Sequence, residues 1–326
     1  MSELRYNPLL KDWVMIVASR QGRPQMPKNW CPFCPGSGKV PDNGYVVLRY
    51  PNDFPVLSQE PPVPDDVATD FFMTRPTYGR CEVILYSPEH NKTMSSLSDE
   101  NIHALSCLWR EAFCDIAGDP KIKYVMIFEN RGDVVGVTMP HPHGQIYGYS
   151  VLPKKLELEL DSASEYFGQT GSCLFCRMLE EEAAAGKRVI FENEHFIVVL
   201  PFFVEYPYGV YIFSRRHTAH IGGMTDAEIC ALGETVRDVS GMLDMLFGYS
   251  FPYMMCMHNA PVNMGDMSDK WHFHIEFFSP VRSKNQLKYN ASSETGAWAH
   301  CNPTSPEEKA EELRQAYDRW KASGTL

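Results

Sequence analysis

Two histidines separated by a single proline, His141 and His143, are the pair of residues in this sequence best spaced to serve one site. In an extended backbone the side chains of residues i and i+2 point to the same side, so both imidazoles can face one substrate or one metal. Pro142 and Gly144 argue against an ordinary central strand before Ile146. We therefore expect the two histidines to lie at the mouth of a strand.

His143 is suited to the chemistry that an imidazole performs best near neutral pH. A neutral ring nitrogen is a competent nucleophile when the other nitrogen is fixed as a hydrogen-bond donor. Gln145 lies two residues further along the same face and offers an amide donor to an oxyanion without adding a competing base. This pair suits phosphoryl transfer, in which positioning and charge stabilisation supply most of the catalysis. The alternative, a pair of core histidines or a metal site without catalysis, stays open on the local sequence alone.

Two Cys-x-x-Cys pairs stand out among the ten cysteines of the chain. Such pairs are typical of metal knuckles in a reducing compartment, where a disulfide framework is not expected. Single histidines further along complete two Cys2His2 sets, a closed donor set that suits structural zinc and also accepts iron or cobalt. The sets are Cys31, Cys34, His90 and His141 in the first half, and Cys173, Cys176, His217 and His272 in the second half. Only the cysteine pairs are locally specific, since histidines at long separations also occur by chance.

Composition favours a globular protein with a small-molecule partner. The 326 residues, 44% of them hydrophobic, suffice for one large core or two linked cores. The net charge is −11 and no Lys/Arg block stands out, which argues against nucleic acid or an anionic membrane as the main partner. The first residues lack an apolar signal core, and no apolar run is long enough to cross a bilayer, so we expect a cytoplasmic protein.

The elements that position these residues recur in the same order in both halves of the sequence. Each cysteine pair is followed by strand patterns, a histidine, a long helix, a further strand and a His-x-His pair. In the first half the patterns predict strands at 81–86 and 124–128 and a helix at 99–117. In the second half they predict strands at 195–202, 208–213 and 253–258 and a helix at 226–246.

Capping residues support the helices. Ser98 and Thr225 precede apolar residues at helical spacing, and Ser305 precedes a third helix that starts with Pro306. The strands have short connections and alternate poorly, which favours mostly antiparallel sheets covered by helices. We predict an α+β fold of two similar units, residues 1–155 and 156–326. Because the second unit has no counterpart of the His-Pro-His-Gly-Gln loop, we expect the chemistry in the first unit alone.

Two motifs resemble the active-site signature of a known family. Residues 128–132 read Phe-Glu-Asn-Arg-Gly and residues 140–147 read Pro-His-Pro-His-Gly-Gln-Ile-Tyr, as in the galactose-1-phosphate uridylyltransferase family of the histidine-triad superfamily. The resemblance spans nearly the whole chain, with further matching segments at 5–9, 19–24, 31–34, 52–55, 87–93, 251–253, 258–261 and 288–294.

The resemblance implies two fused histidine-triad units, usually in a homodimer, that serve galactose metabolism. It implies ping-pong transfer of a uridylyl group between UDP-glucose and galactose 1-phosphate through a covalent uridylyl-histidine, giving UDP-galactose and glucose 1-phosphate. By position, His143 is the nucleophile, Gln145 holds the phosphate, and zinc takes the first Cys2His2 set. The other implied substrate contacts are Asn130 and Thr138 near the phosphates, Asn52 and Asp53 at the uridine, Arg20 and Arg23 at the nucleotide or sugar phosphate, and Lys288 and Glu294 at the hexose.

For a second metal, zinc or iron, the resemblance leaves two sites open. Well-known members use a glutamate and three histidines, for which this chain offers Glu159, His258 and His274, with Glu276 in place of a last histidine. The second cysteine pair is instead similar to relatives with two cysteine-rich zinc sites, including plant-type ADP-glucose phosphorylases. Because thiolates bind zinc more tightly than carboxylates do, we expect the second metal at the cysteine-containing set.

Two other functions compete with uridylyl transfer at this stage. One is an enzyme of the same superfamily, either an ADP-glucose phosphorylase-like adenylyltransferase or a nucleotide hydrolase. Simple histidine-triad hydrolases carry a further histidine where Gln145 stands, and a base there helps to activate water or protonate a leaving group, so glutamine favours transfer over hydrolysis. The other is a zinc-stabilised protein that binds a nucleotide sugar without turning it over.

Overall fold

The computed structural model describes residues 2–22, 30–42 and 44–324. Within them the strands are β1 Ser2–Asn7, β2 Asp12–Val17, β3 Leu48–Pro51, β4 Thr74–Pro76, β5 Gly79–Leu85, β6 Tyr124–Arg131, β7 His143–Tyr149, β8 Val189–Glu192, β9 Phe196–Val199, β10 Tyr211–Ser214, β11 Tyr253–His258, β12 His274–Phe278, β13 Val281–Ser283 and β14 Gln286–Leu287. The helices are α1 Asp99–Ala117, α2 Lys154–Thr170, α3 Leu174–Ala185, α4 Asp226–Phe247, α5 Ser292–Ala297 and α6 Pro306–Ala322.

Nine strands form one sheet in the order β3-β5-β7-β6-β11-β12-β10-β9-β8. Every neighbouring pair in it is antiparallel, as the sequence predicted. The first four strands come from the first half of the chain and the last five from the second half. The halves join where β6 pairs with β11, from Tyr253 opposite Arg131 to Met257 opposite Ile127. The repeated units therefore share one continuous sheet, with β5, β7 and β6 matching β10, β12 and β11 in mirrored order.

Helices α1 and α4 cover the central strands on one face of this sheet. Their apolar stripes pack with strand residues in the main core, which includes Ile102, Trp109, Ile229, Leu232, Ile127, Ile146, Met255 and Ile275. Helix α6 packs on α4 through Trp320. A Cβ on Gly241 would lie 2.4 Å from the Trp320 ring, so the close approach of the two helices requires glycine there.

The opposite face is covered differently in the two halves. In the second half, α2 and α3 bury Leu156, Ala163 and Phe175 against a group of strand and loop residues, including Ile197, Val199, Phe213 and Trp271. In the first half a loop carries Phe33 and Val40 onto strand residues Val83 and Leu85. Helices thus close this face in the second half, whereas loops lie over it in the first half.

The capped helices confirm the sequence predictions. Ser98 accepts a hydrogen bond from the backbone of Asn101, Thr225 forms a capping box with Glu228, and Ser305 accepts from the backbone of the residue at 308. The long helix of the second half runs one residue further than predicted, to Phe247, where Gly248 ends it in the left-handed conformation. None of the described helices combines the length and the apolar character needed to cross a membrane.

The strand predictions are right in position and differ in length. The strand at 253–258 is confirmed, and the one at 124–128 continues to Arg131. In the second half, β9 starts only at Phe196 because the Asn193 side chain accepts from the backbone N–H groups of His195 and Phe196 and forms a turn. Helices α2 and α3 and the separate sheet of β2, β1 and β4 were not predicted.

The expectation that no ordinary strand precedes Ile146 is wrong. Strand β7 begins at His143 and lies between β5 and β6, with His143 opposite Leu85. Gly144 faces the helix-covered side, where the hydroxyl of Tyr86 occupies the space of a side chain. Pro142 lies just outside the ladder, so the histidine pair does sit at the mouth of a strand.

Candidate active site

The orientation of His143 follows from its place as the first residue of β7. Its Nδ1–H donates to the carbonyl oxygen of His141 over 2.7 Å. Because a carbonyl only accepts, this bond assigns the proton to Nδ1 and makes Nε2 the basic nitrogen of the neutral ring. The Phe33 ring lies 6.2 Å from the His143 ring on the same side of the sheet. The geometry matches the fixed tautomer that a nucleophilic histidine requires.

Gln145 follows on the same face of β7, opposite Val83. The hydroxyl of Tyr147 donates to its Oε1 over 3.0 Å. This bond turns the amide so that its NH2 group points away from Tyr147, which makes it a donor for an anionic oxygen held near His143. The predicted pair of nucleophile and amide donor is thus supported by a third residue of the same strand.

Tyr86 holds the loop before β7 from the helix-covered side. Its backbone N–H donates to the carbonyl of Pro142 over 3.0 Å. Its hydroxyl lies 2.2 Å from where a Cβ on Gly144 would be, so only glycine allows this contact. The same hydroxyl donates to Oε2 of Glu129 over 3.3 Å. Tyr86 thereby fixes the backbone on both sides of His143.

A buried polar network continues from Tyr86 towards α4. Glu129 accepts a second hydrogen bond at Oε1, 3.2 Å long, from the hydroxyl of Tyr253. Burial raises the pKa of Glu129 to about 7, and the charge of Arg131 opposes this shift. Arg131 donates over 2.8 and 2.9 Å to Ser240 and Asp244 on α4. The network ties the catalytic loop to a long helix of the second half.

The first metal-ligand set is assembled as predicted. The ligand atoms of Cys31, Cys34, His90 and His141 all lie within 4.8 Å of one another. The Cys34 sulfur is 3.4 Å from Nδ1 of His90 and 3.7 Å from Nδ1 of His141. Ligands bound at zinc distances in a tetrahedron lie roughly 3.5 Å apart, so the set fits this metal. Nε2–H of His141 donates to the carbonyl of Ser87 over 2.8 Å, the outer contact that orients a metal-bound histidine.

The second cysteine set repeats this arrangement. Nδ1 of His217 and Nδ1 of His272 lie 3.1 and 3.3 Å from the Cys176 sulfur, and Cys173 completes the set. Nε2–H of His272 donates over 2.7 Å to the carbonyl of Ser214, as His141 does in the first half. The donor atoms and their outer contacts fit a structural metal here as well.

The glutamate and histidine set that competed for the second metal is also assembled. Ligand atoms of Glu159, His258 and His274 lie within 4.8 Å of one another. The two sets use different members of the second His-x-His pair, because His272 faces the thiols and His274 faces Glu159. They are therefore separate clusters rather than alternative arrangements of the same residues.

The second half places two residues, His274 and Glu276, where the first half has His143 and Gln145, while the full His-Pro-His-Gly-Gln loop has no counterpart there, as expected. His274 is the first residue of β12, and its Nδ1–H donates to the carbonyl of His272 over 3.0 Å, as His143 donates to His141. Glu276 stands where Gln145 stands in β7. Both second-half residues are almost fully buried. The sequence predicted the correspondence of the two His-x-His pairs, and the register of the two strands adds that Glu276 takes the place of Gln145.

A cavity of about 300 Å³ lies beside His143 and gathers several of the predicted residues. It is lined by Asn130 and by the residues on both sides of Thr138, which is itself exposed in the preceding loop. Lys92, which the sequence analysis gave no role, also lines this cavity. The cavity opens at the strand mouth where a phosphate attacked by His143 would lie.

The positions implied for the uridine and the phosphate lie at the β3 and β5 edge of the sheet. Asn52 follows β3 and its backbone donates to the carbonyl of Cys81 over 3.1 Å. Asp53 is exposed and pairs with Lys39 at 2.6 Å. Cys81 on β5 shows where Arg20 lies. Burial raises the pKa of the Cys81 thiol to about 11, and the nearby positive charge of Arg20 is one of the effects that lower it. Arg20 therefore lies near β5, whereas Arg23 falls outside the described residues.

Lys288 and Glu294 contact each other, but neither of them lines the cavity beside His143. Their side chains form an ion pair at 3.0 Å beyond the hairpin of β13 and β14. Tyr289 and Trp298 next to them are 69% and 54% exposed. The hexose contacts implied by sequence thus form a pair of their own, outside the lining of the cavity beside His143.

Comparison with known proteins confirms the resemblance over both halves. Residues 1–153 match the family model described as galactose-1-phosphate uridyl transferase, N-terminal domain, and residues 159–313 match its C-terminal domain. The galactose-1-phosphate uridylyltransferase of Thermotoga maritima is 37% identical over 97% of this chain and 98% of its own length. The one from Rattus norvegicus is 30% identical over 95% and 86%.

Solved structures agree with the sequence relatives. A uridylyltransferase structure superposes with a TM-score of 0.89 at 30% identity and covers 97% of this chain and 99% of its own. An ADP-glucose phosphorylase from Arabidopsis thaliana with bound ADP-glucose shares the fold, with a TM-score of 0.74 at 24% identity over 97% of this chain and 98% of its own. From the matches to both halves and the relatives at 30% identity or more, the chain belongs to the galactose-1-phosphate uridylyltransferase family.

Proposed function

We propose that this protein is a nucleotidyltransferase that passes a uridylyl group between UDP-glucose and galactose 1-phosphate through a covalent intermediate on His143. The observation that carries the proposal is the hydrogen bond from Nδ1 of His143 to the carbonyl of His141, which fixes the nucleophilic tautomer. The names of the relatives, found over nearly the full chain, support the same reaction and its place in galactose metabolism.

In the first step Nε2 of His143 attacks the α-phosphorus of UDP-glucose. A P–N bond forms, the P–O bond to the sugar phosphate breaks, and glucose 1-phosphate leaves with the electron pair. In the second step a phosphate oxygen of galactose 1-phosphate attacks the same phosphorus and the P–N electron pair returns to Nε2. The Nδ1–H bond stabilises the positive charge on the ring between the steps, and the amide of Gln145 donates to the non-bridging oxygen as its charge increases.

The labelled intermediate is the direct test. Enzyme mixed with UDP-glucose labelled in the α-phosphate and quenched in base, where phosphoramidates survive, should carry label on the peptide with His143. His274 provides an internal control, because it occupies the matching position in the other half. Label on the His274 peptide, or full turnover in His143→Gly, would overturn the mechanism.

The competing reactions are separated by their products. We propose transfer rather than hydrolysis because Gln145, held by Tyr147, supplies a donor where a hydrolase would need a base. Incubation with UDP-glucose and galactose 1-phosphate should give UDP-galactose. Formation of UMP would indicate a hydrolase, and phosphorolysis of ADP-glucose would indicate the phosphorylase. Binding of UDP-glucose without any product would indicate a sensor protein.

We also propose that the two cysteine-containing sets hold structural metals, zinc at the first set and zinc or iron at the second. Donor atoms within 4.8 Å and a carbonyl partner for His141 and for His272 support both sites. When bound, these ions contribute folding free energy rather than reaction chemistry. Since the carbonyl of His141 holds His143, the first set also positions the nucleophile.

We propose that the active protein is a homodimer in which Lys288 and Glu294 serve the His143 site of the other copy. Their absence from the lining of the cavity beside His143 and the exposed aromatic residues next to them support this arrangement. The mass in solution should be about twice 37.2 kDa. Mixing His143→Gly with Lys288→Ala protein should restore activity as subunits exchange. Failure to restore it in a confirmed mixed dimer would place both groups in the same chain.

The division into units 1–155 and 156–326 also stays a proposal. It is supported by the family models, which end at 153 and begin again at 159, and by the connection between β7 and α2. Because the two units share one sheet through β6 and β11, separate expression should leave each with an uncovered edge strand and a tendency to associate.

A further inference from the structure

A buried cluster of charged and polar side chains lies on the second half of the sheet, under the first turns of α2. It contains Glu159 from α2, His258 from β11, and His274 and Glu276 from β12. His258, His274 and Glu276 are each no more than 3% exposed. This is the position that corresponds to the catalytic pair of the first half, and nothing in the proposed reaction uses it.

The two carboxylates of the cluster hold His258 between them. Nδ1 of His258 lies 3.0 Å from Oε2 of Glu159, and its Nε2 lies 3.5 Å from Oε2 of Glu276. Nε2 of His274 lies 3.7 Å from Oε1 of Glu276. Such a set of oxygen and nitrogen donors would attract a divalent cation if no other cation were present.

Lys155 supplies such a cation from the same helix. Its Nζ forms an ion pair with Oε2 of Glu276 and lies 3.7 Å from Oε1 of Glu159, which is four residues further along α2. Nζ also lies 4.8 Å from the centre of the Phe278 ring. The ammonium group thus lies between two carboxylates and beside an aromatic ring, at the end of a side chain that reaches the cluster from the surface. The ammonium group is therefore held in place as a cation.

A metal ion bound to Glu159, His258 and His274 would need the carboxylate oxygens at roughly 2.0–2.2 Å. Lys155 already occupies the space beside those oxygens and uses their charge. The Lys155 side chain is 51% exposed, but its ammonium group uses the charge of Glu276, which is 3% exposed, so a divalent ion and this ammonium group would compete for the same carboxylates. One of the two cations has to leave.

We propose that Lys155 is the resident cation of this cluster and that it excludes a metal from Glu159, His258 and His274. The chain then binds metal only at its two cysteine-containing sets. This inference takes those two sets from the proposed function and does not depend on the uridylyl transfer itself.

The test is the metal content of purified protein and its variants, measured by mass spectrometry without reference to activity. Wild type, Glu159→Gln and Lys155→Arg should contain the same amount of metal. Lys155→Met should gain about one ion per chain, and the double variant Lys155→Met/Glu159→Gln should lose it again. Circular dichroism and thermal melting show whether each variant is folded, and Lys155→Gln replaces the methionine variant if that one fails to fold.

Cobalt spectroscopy identifies where the additional ion binds. In Lys155→Met with zinc at the two cysteine-containing sets only, added Co²⁺ should give visible bands without the thiolate charge-transfer absorption that a cysteine site produces. Cys176→Ser, as the control, should lower the metal content in every background and leave the gain caused by Lys155→Met unchanged. A loss of metal in Glu159→Gln alone, or no gain in folded Lys155→Met and Lys155→Gln, would overturn the proposal. If the cysteine-containing sets bind no metal, the metal content of the wild type will be low and Cys176→Ser will not change it.

Discussion

The orientation of the His143 ring depends on a main-chain group that belongs to a candidate metal ligand. His141 provides its carbonyl to Nδ1 of His143, while its own ring faces the cysteines through Nδ1 and the carbonyl of Ser87 through Nε2. Burial lowers the pKa of His141 to about 4, so its ring stays neutral and available to a metal at physiological pH. One residue thus connects the metal site with the orientation of the nucleophile.

Gln145→Ala should slow both half-reactions by about 10²–10³-fold, the usual effect of losing one oxyanion donor. The fold should be unaffected because the side chain is only partly buried on the substrate face. Tyr147→Phe is the matched variant, since it keeps the amide and removes only the hydroxyl that orients it. Single-turnover rates measure both. An equal loss in the two variants would mean that the amide acts only when Tyr147 orients it, whereas an unchanged rate in Gln145→Ala would refute the role of the amide.

The buried carboxyl group of Glu129 should make the free energy of unfolding depend on pH. Its pKa is raised from 4.5 to about 7 in the folded protein because the carboxyl group is buried. Between these values the folded state binds more protons than the unfolded state, so its stability falls as the pH rises. Relative to Glu129→Gln, the wild type should lose roughly 3 kcal/mol of unfolding free energy between pH 4.5 and 7. Urea unfolding of both proteins at pH 4.5 and pH 7 measures this loss. A wild type that becomes more stable relative to Glu129→Gln as the pH rises would refute the raised pKa of Glu129.

At the scale of single elements, the start of β7 depends on one contact between Gly144 and Tyr86. In Gly144→Ala the new Cβ would lie 2.2 Å from the Tyr86 hydroxyl and 3.0 Å from the carbonyl oxygen of Phe128, so the strand has to shift. We expect about 1–3 kcal/mol of destabilisation, typical of overpacking, together with a large loss of kcat. Gly168→Ala on α2 is the control, since nothing lies within 4 Å of its new Cβ.

A double variant checks the cause of that loss. Tyr86→Phe removes the hydroxyl that meets the new Cβ, so Gly144→Ala/Tyr86→Phe should regain part of the stability and activity lost in Gly144→Ala. Thermal melting and steady-state kinetics of the four proteins form the cycle. Strictly additive effects would show that the two residues do not act on each other.

The same contact explains why the sequence predicted some elements well and others poorly. Helices α1, α4 and α6 carry their own caps and apolar spacing, so local residues define them. The start of β7 is decided by Tyr86, which is distant in sequence and fills the space beside Gly144. Helices α2 and α3 start after Pro153 and Cys173, which provide no side-chain cap, so the local sequence does not mark their first residues. Local signals define elements that stabilise themselves, whereas tertiary contacts define the others.

At the scale of the molecule, the sequence predicted two similar units but not how they join and how each is covered. The order of features in the two halves indicated two similar units, and the histidines that follow each cysteine pair in that order belong to the two cysteine-containing sets. The pairing of β6 with β11 and the covering of only one half by α2 and α3 could not be read from the sequence. For this reason the contacts of Lys155 with Glu159 and Glu276 could be seen only in the fold.

The two halves should respond differently to loss of their metals. Cys34→Ser should abolish the metal at the first set, lower the melting temperature and remove activity, because the carbonyl that orients His143 belongs to a ligand of that set. Cys176→Ser should also lower the melting temperature, but kcat per folded molecule should stay close to the wild-type value below that temperature. Its metal set adjoins the His274 position, which is buried and takes no part in the proposed reaction. Metal content, melting curves and kinetics at a temperature where both variants are folded give the comparison. Full activity and an unchanged melting temperature in metal-free Cys34→Ser would show that the nucleophile is held without the metal, and the hydrogen bond from Tyr86 to Pro142 would then be the contact that positions it.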